Sequence, residues 1–398
     1  MDSYKEIITF IRRLYETEEF IPLHVPFFLG NEKAYLNECI DTGFVSSVGE
    51  FVNRFEEMMK EITGSKYAVA AVNGTAAIHA SLHLLKTGPG DLVLTQPLTF
   101  VATANAVAYC GAEPVFIDVS ETTLGMDPEK LREWLGENAE VDEAGRAVHK
   151  KRKKRITACL PVHVFGHPLK IDDIVEICAG YNIPVLEDAA ESLGSSYKGK
   201  QTDTFGRMGV FSFNGNKTVT TGGGGVIVTD DDELGPKAKY ITTTAKKPHA
   251  YEYYHDMLGF NYRMPNVNAA LGCAQLELLP SFVEEKRRIA DSYGTFFNDR
   301  NDGIRFLGEP AGARSNYWLN ALMLPGPDER DAFLEYSNGN KVMTRPVWKL
   351  MTALPMYEHC EKGDLSIAER LEERIVNIPS SIRPWKMENH GITEGKAE

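Results

Sequence analysis

The strongest constraint in this sequence is an alternation. Short apolar runs at Tyr67–Val72, Asp91–Thr95, Pro114–Asp118, Ile156–Val162, Pro184–Glu187, Gly209–Phe213 and Gly225–Thr229 are separated by stretches of helical spacing. Helices are predicted through Ala76–Leu85, over Ala102–Tyr109, and at about 128–136 and 171–181. A strand that is apolar on both sides must be covered on both sides, so the pattern predicts an α/β fold with a largely parallel sheet between helices. After Asp230 the pattern changes. Long helices are predicted over Asn266–Leu279 and Ser281–Arg300. Shorter elements follow at Tyr317–Leu324, Asp328–Ser337, Val342–Pro346 and Ile367–Arg374. The expected organisation is a large domain over residues 1–279, including the N-terminal segment, and a smaller α+β domain over 280–398.

Charge and cysteine usage exclude several function classes. The chain of 398 residues has a formal net charge of −13, which argues against a nucleic-acid track. Its six cysteines form no Cys-x-x-Cys pair, so neither zinc nor a disulfide framework is expected. No apolar stretch is long enough to span a membrane, and the N-terminal region is charged at Asp2, Lys5, Glu6, Arg12 and Arg13. A cytoplasmic protein without a membrane or metal partner is expected. The acidic stretch and six consecutive basic residues within Glu137–Arg155 read as a solvated loop.

Four features carry chemistry. Gly209-Val-Phe-Ser-Phe-Asn-Gly-Asn-Lys217 ends a strand in a polar turn that presents one lysine, with Gly222–Gly225 close behind. A lysine in a partly desolvated site can act as a Schiff-base nucleophile; alone, the segment also fits an exposed lysine beside a turn. Glu187-Asp188 ends another strand, where open α/β sheets bind ligands, with capping of the next helix by Asp188 as the less favoured alternative. Asn73-Gly74-Thr75 leads from a strand into a helix N-terminus suited to a phosphate, or simply to an ordinary cap. Phe100 falls at the same sheet edge, where an aromatic face can stack on a planar ring. Together, a lysine, a carboxylate, a phosphate cradle and an aromatic plate are what pyridoxal 5′-phosphate requires.

The ordered motifs resemble a known family. Phe55-Glu56, Asn73-Gly-Thr-Ala-Ala, Thr99-Phe-Val-Ala-Thr-Ala-Asn-Ala, Pro161-Val-His-Val-Phe-Gly-His-Pro, Glu187-Asp-Ala-Ala-Glu-Ser, Phe211-Ser-Phe, Lys217 and Gly259-Phe-Asn-Tyr-Arg-Met264 are similar to the DegT/DnrJ/EryC1/StrS enzymes. These are fold type I, pyridoxal phosphate-dependent aminotransferases of nucleotide-linked keto-sugars. The likeness runs from about Ile21 to Met356 and implies a seven-stranded, mostly parallel sheet in the large domain. It implies Lys217 as the Schiff-base lysine, Asp188 on the pyridine nitrogen, and Gly74, Thr75 and Ser212 on the phosphate. It further implies Phe100 over the ring, and Asn261 on the phosphate of a neighbouring subunit's cofactor, hence a homodimer with shared sites. Glu191 stands where many members carry Gln or His near the cofactor's ring oxygen.

The resemblance also implies substrates. Members with histidine in place of the lysine are sugar dehydratases; Lys217 favours amino transfer, usually from L-glutamate. The segments Glu6–Tyr15, Asn31–Gly49 and Phe213–Lys217, with the charged insertion, look most like the branch that makes 4-amino sugars of the bacillosamine and legionaminic acid type. A UDP-2-acetamido-2,6-dideoxy-4-ketohexose is the expected acceptor, with Ser46, Ser47, Tyr317 and Arg345 as substrate contacts. The alternatives are a 3-aminotransferase, a dTDP- or GDP-keto-sugar aminotransferase, a dehydratase, or a cofactor-free regulator.

Overall fold

A computed structural model describes residues 2–387. Seven strands build the central sheet: β1 (Tyr67–Ala71), β2 (Leu92–Thr95), β3 (Glu113–Phe116), β4 (Ile156–Leu160), β5 (Leu186–Asp188), β6 (Met208–Ser212) and β7 (Gly225–Thr229). Ladders give the orders β3-β2-β4 and β1-β7-β6-β5. Parallel bridges at Cys159–Val185 and Val162–Asp188 join β4 to β5, so the sheet runs β3-β2-β4-β5-β6-β7-β1. The pairs β2–β3, β2–β4 and β5–β6 are parallel. One strand departs from the expected direction. β7 runs antiparallel to both neighbours, with Tyr67 opposite Thr229 and Ser212 opposite Gly225.

Side-chain alternation explains why every strand is apolar throughout. Val210 and Ile227 point to one face, among Ile78, Leu82, Val93 and Val107. Their neighbours Phe211 and Val226 point to the other, against Phe55, Ala269 and Phe282. Both faces are therefore dry cores, and a polar residue along a strand would be stranded. Polar chemistry is confined to strand ends.

A second sheet, in the order Arg305–Phe306, Asn320–Met323, Ile375–Ile378, Arg345–Pro346, is antiparallel throughout. Helices Leu279–Asn298 and Pro327–Gly339 pack on it through Ile289, Tyr293 and Phe333. The N-terminal segment, expected within the large domain, belongs to this core instead. Helix Asp2–Tyr15 places Ile7, Ile8, Ile11 and Tyr15 on one side, and they bury against Tyr293, Phe333 and Val376.

The charged segment is not a loose loop. Ala139–Val141 and Ala147–His149 form a hairpin. Arg152 pairs with Glu113 at 2.7 Å and with Glu361 at 3.0 Å, Arg155 Nε bonds Asp91 at 2.9 Å, and Lys153 pairs with Glu140 at 2.7 Å. Arg152, Lys153, Lys154 and Arg155 are thus paired with acidic residues along the sheet edge. All six cysteines are free, and five are buried. No helix among the described residues is long and apolar enough to cross a membrane.

Candidate active site

A cavity of about 320 Å³ opens at the C-terminal ends of β5 and β6. Carbonyl-end openings of parallel sheets are where ligands bind, because helix N-termini converge there. Helix Gly74–Leu84 starts at its rim. Asn73 is extended and its Oδ1 accepts from the Ala76 N–H at 2.7 Å, fixing the helix start and leaving its first N–H groups for an anion. Gly74 is required by packing. A Cβ there would stand 3.0 Å from the Ser212 Cβ and 3.3 Å from its Oγ. Gly225 is tighter still, with a Cβ falling 2.5 Å from the Asn73 carbonyl. These two glycines let β6 and β7 press against the helix start, so Gly74, Thr75 and Ser212 line one wall.

Asp188 forms the floor. It is 3% exposed, and its Oδ2 accepts from the Thr103 hydroxyl at 2.8 Å while Oδ1 accepts from the Ala190 N–H at 3.1 Å. Burial raises its carboxyl above the ordinary range, an effect opposed by those hydrogen bonds. A cation or a protonated ring nitrogen beside it would recover the lost solvation.

Lys217 projects from the turn after β6, with its side chain 13% exposed. Its Nζ lies 3.4 Å from Glu191 Oε1 and 3.8 Å from the centroid of the Trp318 ring. Glu191 is oriented from behind: the Phe165 N–H donates to its Oε2 at 2.8 Å. That N–H is aimed by a left-handed backbone at Phe165 (φ 57°), a conformation bulky residues seldom adopt. Burial pushes the Glu191 carboxyl up to about 7, against the pull of Lys217. The site therefore holds a lysine amine beside an acid whose carboxyl is pushed up to about 7.

Phe100 stands at the lip, 53% exposed, with Trp348 6.5 Å from it between ring centroids. The cavity thus brings together Lys217, Asp188, Glu191, Gly74, Thr75, Ser212 and Phe100. Other expected contacts stand apart from its lining. Asn261 is exposed and its Oδ1 accepts from Arg263 at 3.1 Å. Ser46 and Ser47 precede helix Glu50–Thr63, and Ser47 lines a different cavity with Lys239 and Arg263. Tyr317 is buried behind the site, where its hydroxyl accepts from the Glu309 N–H at 3.0 Å. Arg345 lines an adjoining groove that shares Asn216, Trp318 and Trp348 with the cavity.

The structure adds residues that sequence reading missed. Trp318 and Trp348 supply apolar walls from the second sheet's connections. Asn316, fully buried, ties the walls together: its Nδ2 donates to the Glu191 and Leu193 carbonyls, and its Oδ1 accepts from the Trp318 N–H at 2.8 Å. Only the juxtaposition Asn316-Tyr-Trp318 beside a predicted strand hinted at this.

One buried cluster has the composition of a metal site, His163, Glu187 and Asp203. Glu187 and His163 are already committed, whereas both Asp203 carboxylate oxygens are buried without a partner among the described residues. Glu187 accepts from the N–H groups of Asp203, Phe205 and Gly206 and meets His163 Nε2 at 3.1 Å, while His163 Nδ1 accepts from the Leu169 N–H. Burial, with Glu187 close by, raises the Asp203 carboxyl well above its ordinary range, favouring a neutral acid. Glu187 and His163 thus serve as structural ties between neighbouring segments.

Comparison with known proteins agrees with this geometry. EpsN of Bacillus subtilis (strain 168), described as a pyridoxal phosphate-dependent aminotransferase, is 40% identical over 381 residues, covering 94% of each chain. GDP-perosamine synthase of Escherichia coli O157:H7 is 36% identical over 91% of this chain and 93% of its own. The crystal structure of the aminotransferase TlmJ from Streptoalloteichus hindustanus superposes with a TM-score of 0.81 at 28% identity, over 91% of this chain and 93% of that one. The profile of the DegT/DnrJ/EryC1/StrS aminotransferase family matches residues 29–388, and the chain belongs to that family of pyridoxal phosphate-dependent enzymes.

Proposed function

We propose that this sugar aminotransferase moves an amino group from L-glutamate to a nucleotide-linked keto-sugar, with UDP-2-acetamido-2,6-dideoxy-4-ketohexose as the acceptor. The observation that carries the amino-transfer reading is Lys217 Nζ, 3.4 Å from Glu191 in the same cavity as Asp188 and the helix N-terminus at Gly74. The residues fit pyridoxal 5′-phosphate. The bare Cα of Gly74 leaves the cradle open beside Ser212, and among the described residues the buried Asp188 makes no ion pair, a place that a protonated ring nitrogen would fill. When bound, the cofactor supplies an electron sink for the substrate carbon.

The position of each group supports a role for it. Gly74 and Thr75 N–H groups and the Ser212 hydroxyl would hold the phosphate, Asp188 would accept from the protonated ring nitrogen, and Phe100 would cover the ring. Lys217 Nζ would anchor the cofactor and, when free, would take and return a proton at the reacting carbon. Glu191, as a neutral acid, donates to the ring oxygen. Trp318 and Trp348 exclude water from one side. Asn214 and Asn216 offer uncharged amide partners to a sugar at the mouth. Tyr317 and Arg345 remain part of the substrate reading through Trp318 and Trp348, which line the cavity, whereas Ser46 and Ser47 lie on a segment away from it. Exposed apolar side chains at Phe44, Val48, Tyr251, Tyr253 and Leu258 support a second copy packing here, which would bring the partner's Asn261 to the phosphate.

The UDP-4-keto-sugar choice rests on the N-terminal segments and on Phe213–Lys217. A second reading, a GDP-keto-sugar, is favoured by the likeness to GDP-perosamine synthase. Purified enzyme incubated with glutamate and a panel of UDP-, GDP- and dTDP-keto-sugars decides between them. The UDP-4-keto-sugar should give an amino sugar and 2-oxoglutarate in equal amounts. Product from the GDP substrate alone would overturn the choice and leave amino transfer standing.

Glu191 makes a pH prediction. The folded protein keeps its proton up to about 7, whereas the unfolded chain releases it around the ordinary value of 4.5. The native state then binds more protons in that window, so stability of the cofactor-stripped protein falls as pH rises through it. Glu191→Gln is expected to flatten that slope in melting curves taken across the window. It should also remove a limb of the kcat/KM profile near pH 7.

A further inference from the structure

One buried titratable group is unused by the chemistry above. Lys286, on helix Leu279–Asn298, is 1% exposed and has no acidic partner among the described residues. Its Nζ donates to two carbonyls, of Ser380 at 2.8 Å and of Trp318 at 3.2 Å. Burial pushes its ammonium down to about 7. A methionine would fill the same space without burying an amine, so the amine's desolvation is offset only by what it holds.

What it holds is a wall of the active site. Every polar group of Trp318 is committed: its N–H to Asn316 at 2.8 Å, its indole Nε1–H to the Asn216 carbonyl at 2.6 Å, and its carbonyl to Lys286. The indole lies over Lys217 Nζ, and Asn216 is the residue before Lys217. The Ser380 end is equally fixed, since its Oγ accepts from the Asn320 N–H at 2.7 Å. Lys286 therefore clamps two connections of the second sheet at the point where one of them meets the reacting amine.

We propose that Lys286 is a positioning residue for Lys217, acting through Trp318: its paired hydrogen bonds to the Trp318 and Ser380 carbonyls lock the indole against the lysine that bears the cofactor. Without the clamp, the indole loses its fixed distance to Nζ, and the environment that sets the basicity of that nitrogen loosens. The inference rests on the Schiff-base role given to Lys217 above.

A double-mutant cycle tests it on reconstituted holoenzyme, using Lys286→Met, Trp318→Phe and the pair. Two readouts are taken: the pH midpoint of the visible cofactor band, and the first-order rate of its loss with saturating glutamate. Lys286→Met should move the midpoint by about half a pH unit or more and slow the rate about tenfold, with cofactor content unchanged. The pair should be no slower than Trp318→Phe alone. Additive slowing, an unchanged midpoint, or a loss that merely tracks missing cofactor would overturn the proposal. If Lys286→Met does not fold, Lys286→Leu, which also removes every donor, enters the same cycle and is held to the same criteria. A wild-type enzyme with no visible band would refute the role of Lys217 itself. A normal band with unresponsive variants refutes only the clamp.

Discussion

Lys217→Ala is expected to yield a folded protein with no visible cofactor band and amino transfer reduced by at least about 10³-fold. The expectation follows from how little else the amine does. Lys217 Nζ makes one ion-pair contact, to Glu191, and one ring contact, to Trp318. Neither holds sheet to helix, so the melting temperature should stay close to that of wild type. Glu191 loses the one cationic neighbour it has among the described residues and becomes a more persistent neutral acid, still bonded by the Phe165 N–H. Borohydride treatment followed by mass analysis gives the decisive comparison. Wild-type protein should gain the mass of one reduced cofactor, carried by the peptide containing Lys217, and Lys217→Ala should gain none. Cofactor mass on any other lysine would sink the assignment.

Asp188→Asn is the second large effect, and it isolates charge from shape. The asparagine carbonyl can still accept from Ala190, and the Thr103 hydroxyl can rotate to meet an amide, since it already shares a 2.8 Å hydrogen bond with Thr99. The network survives while the negative charge is lost. A neutral partner cannot keep a ring nitrogen protonated, so the glutamate half-reaction should slow by about 10²- to 10³-fold with cofactor still bound. A rate within a few-fold of wild type would show that the cavity floor is structural only. Thr103→Val serves as the milder control, leaving the charge but removing one of its hydrogen bonds.

The residues that were legible in the sequence share one property: each sits where an apolar run stops. Asn73-Gly-Thr75, Phe100, Asp188 and Lys217 all follow strands buried on both faces, and a polar group there has no place except the open end of the sheet. What was not legible depended on distance along the chain. The apolar run Gly225–Thr229 carries no mark of its direction; its antiparallel course follows from a tight Gly-rich return after Lys217. The basic run 150–155 reads as solvated until Glu113, Asp91 and Glu361 arrive beside it from elsewhere. Trp318, Trp348 and Asn316 look like core residues of a separate domain, and they are core residues. They also close the cavity, because the two sheets meet at its rim.

The antiparallel strand has a consequence for biosynthesis. Tyr67–Ala71, which leads into the phosphate cradle, is an unpaired edge until Gly225–Thr229 has been made and has folded back upon it. The indole walls come later still, at Trp318 and Trp348. A ribosome must therefore release most of the chain before any of it can hold the cofactor, and long-range pairing of this kind forms slowly. Cofactor capture is in that sense a completion signal: a truncated or stalled chain has the lysine, the aspartate and the glycines, yet no pocket in which they meet.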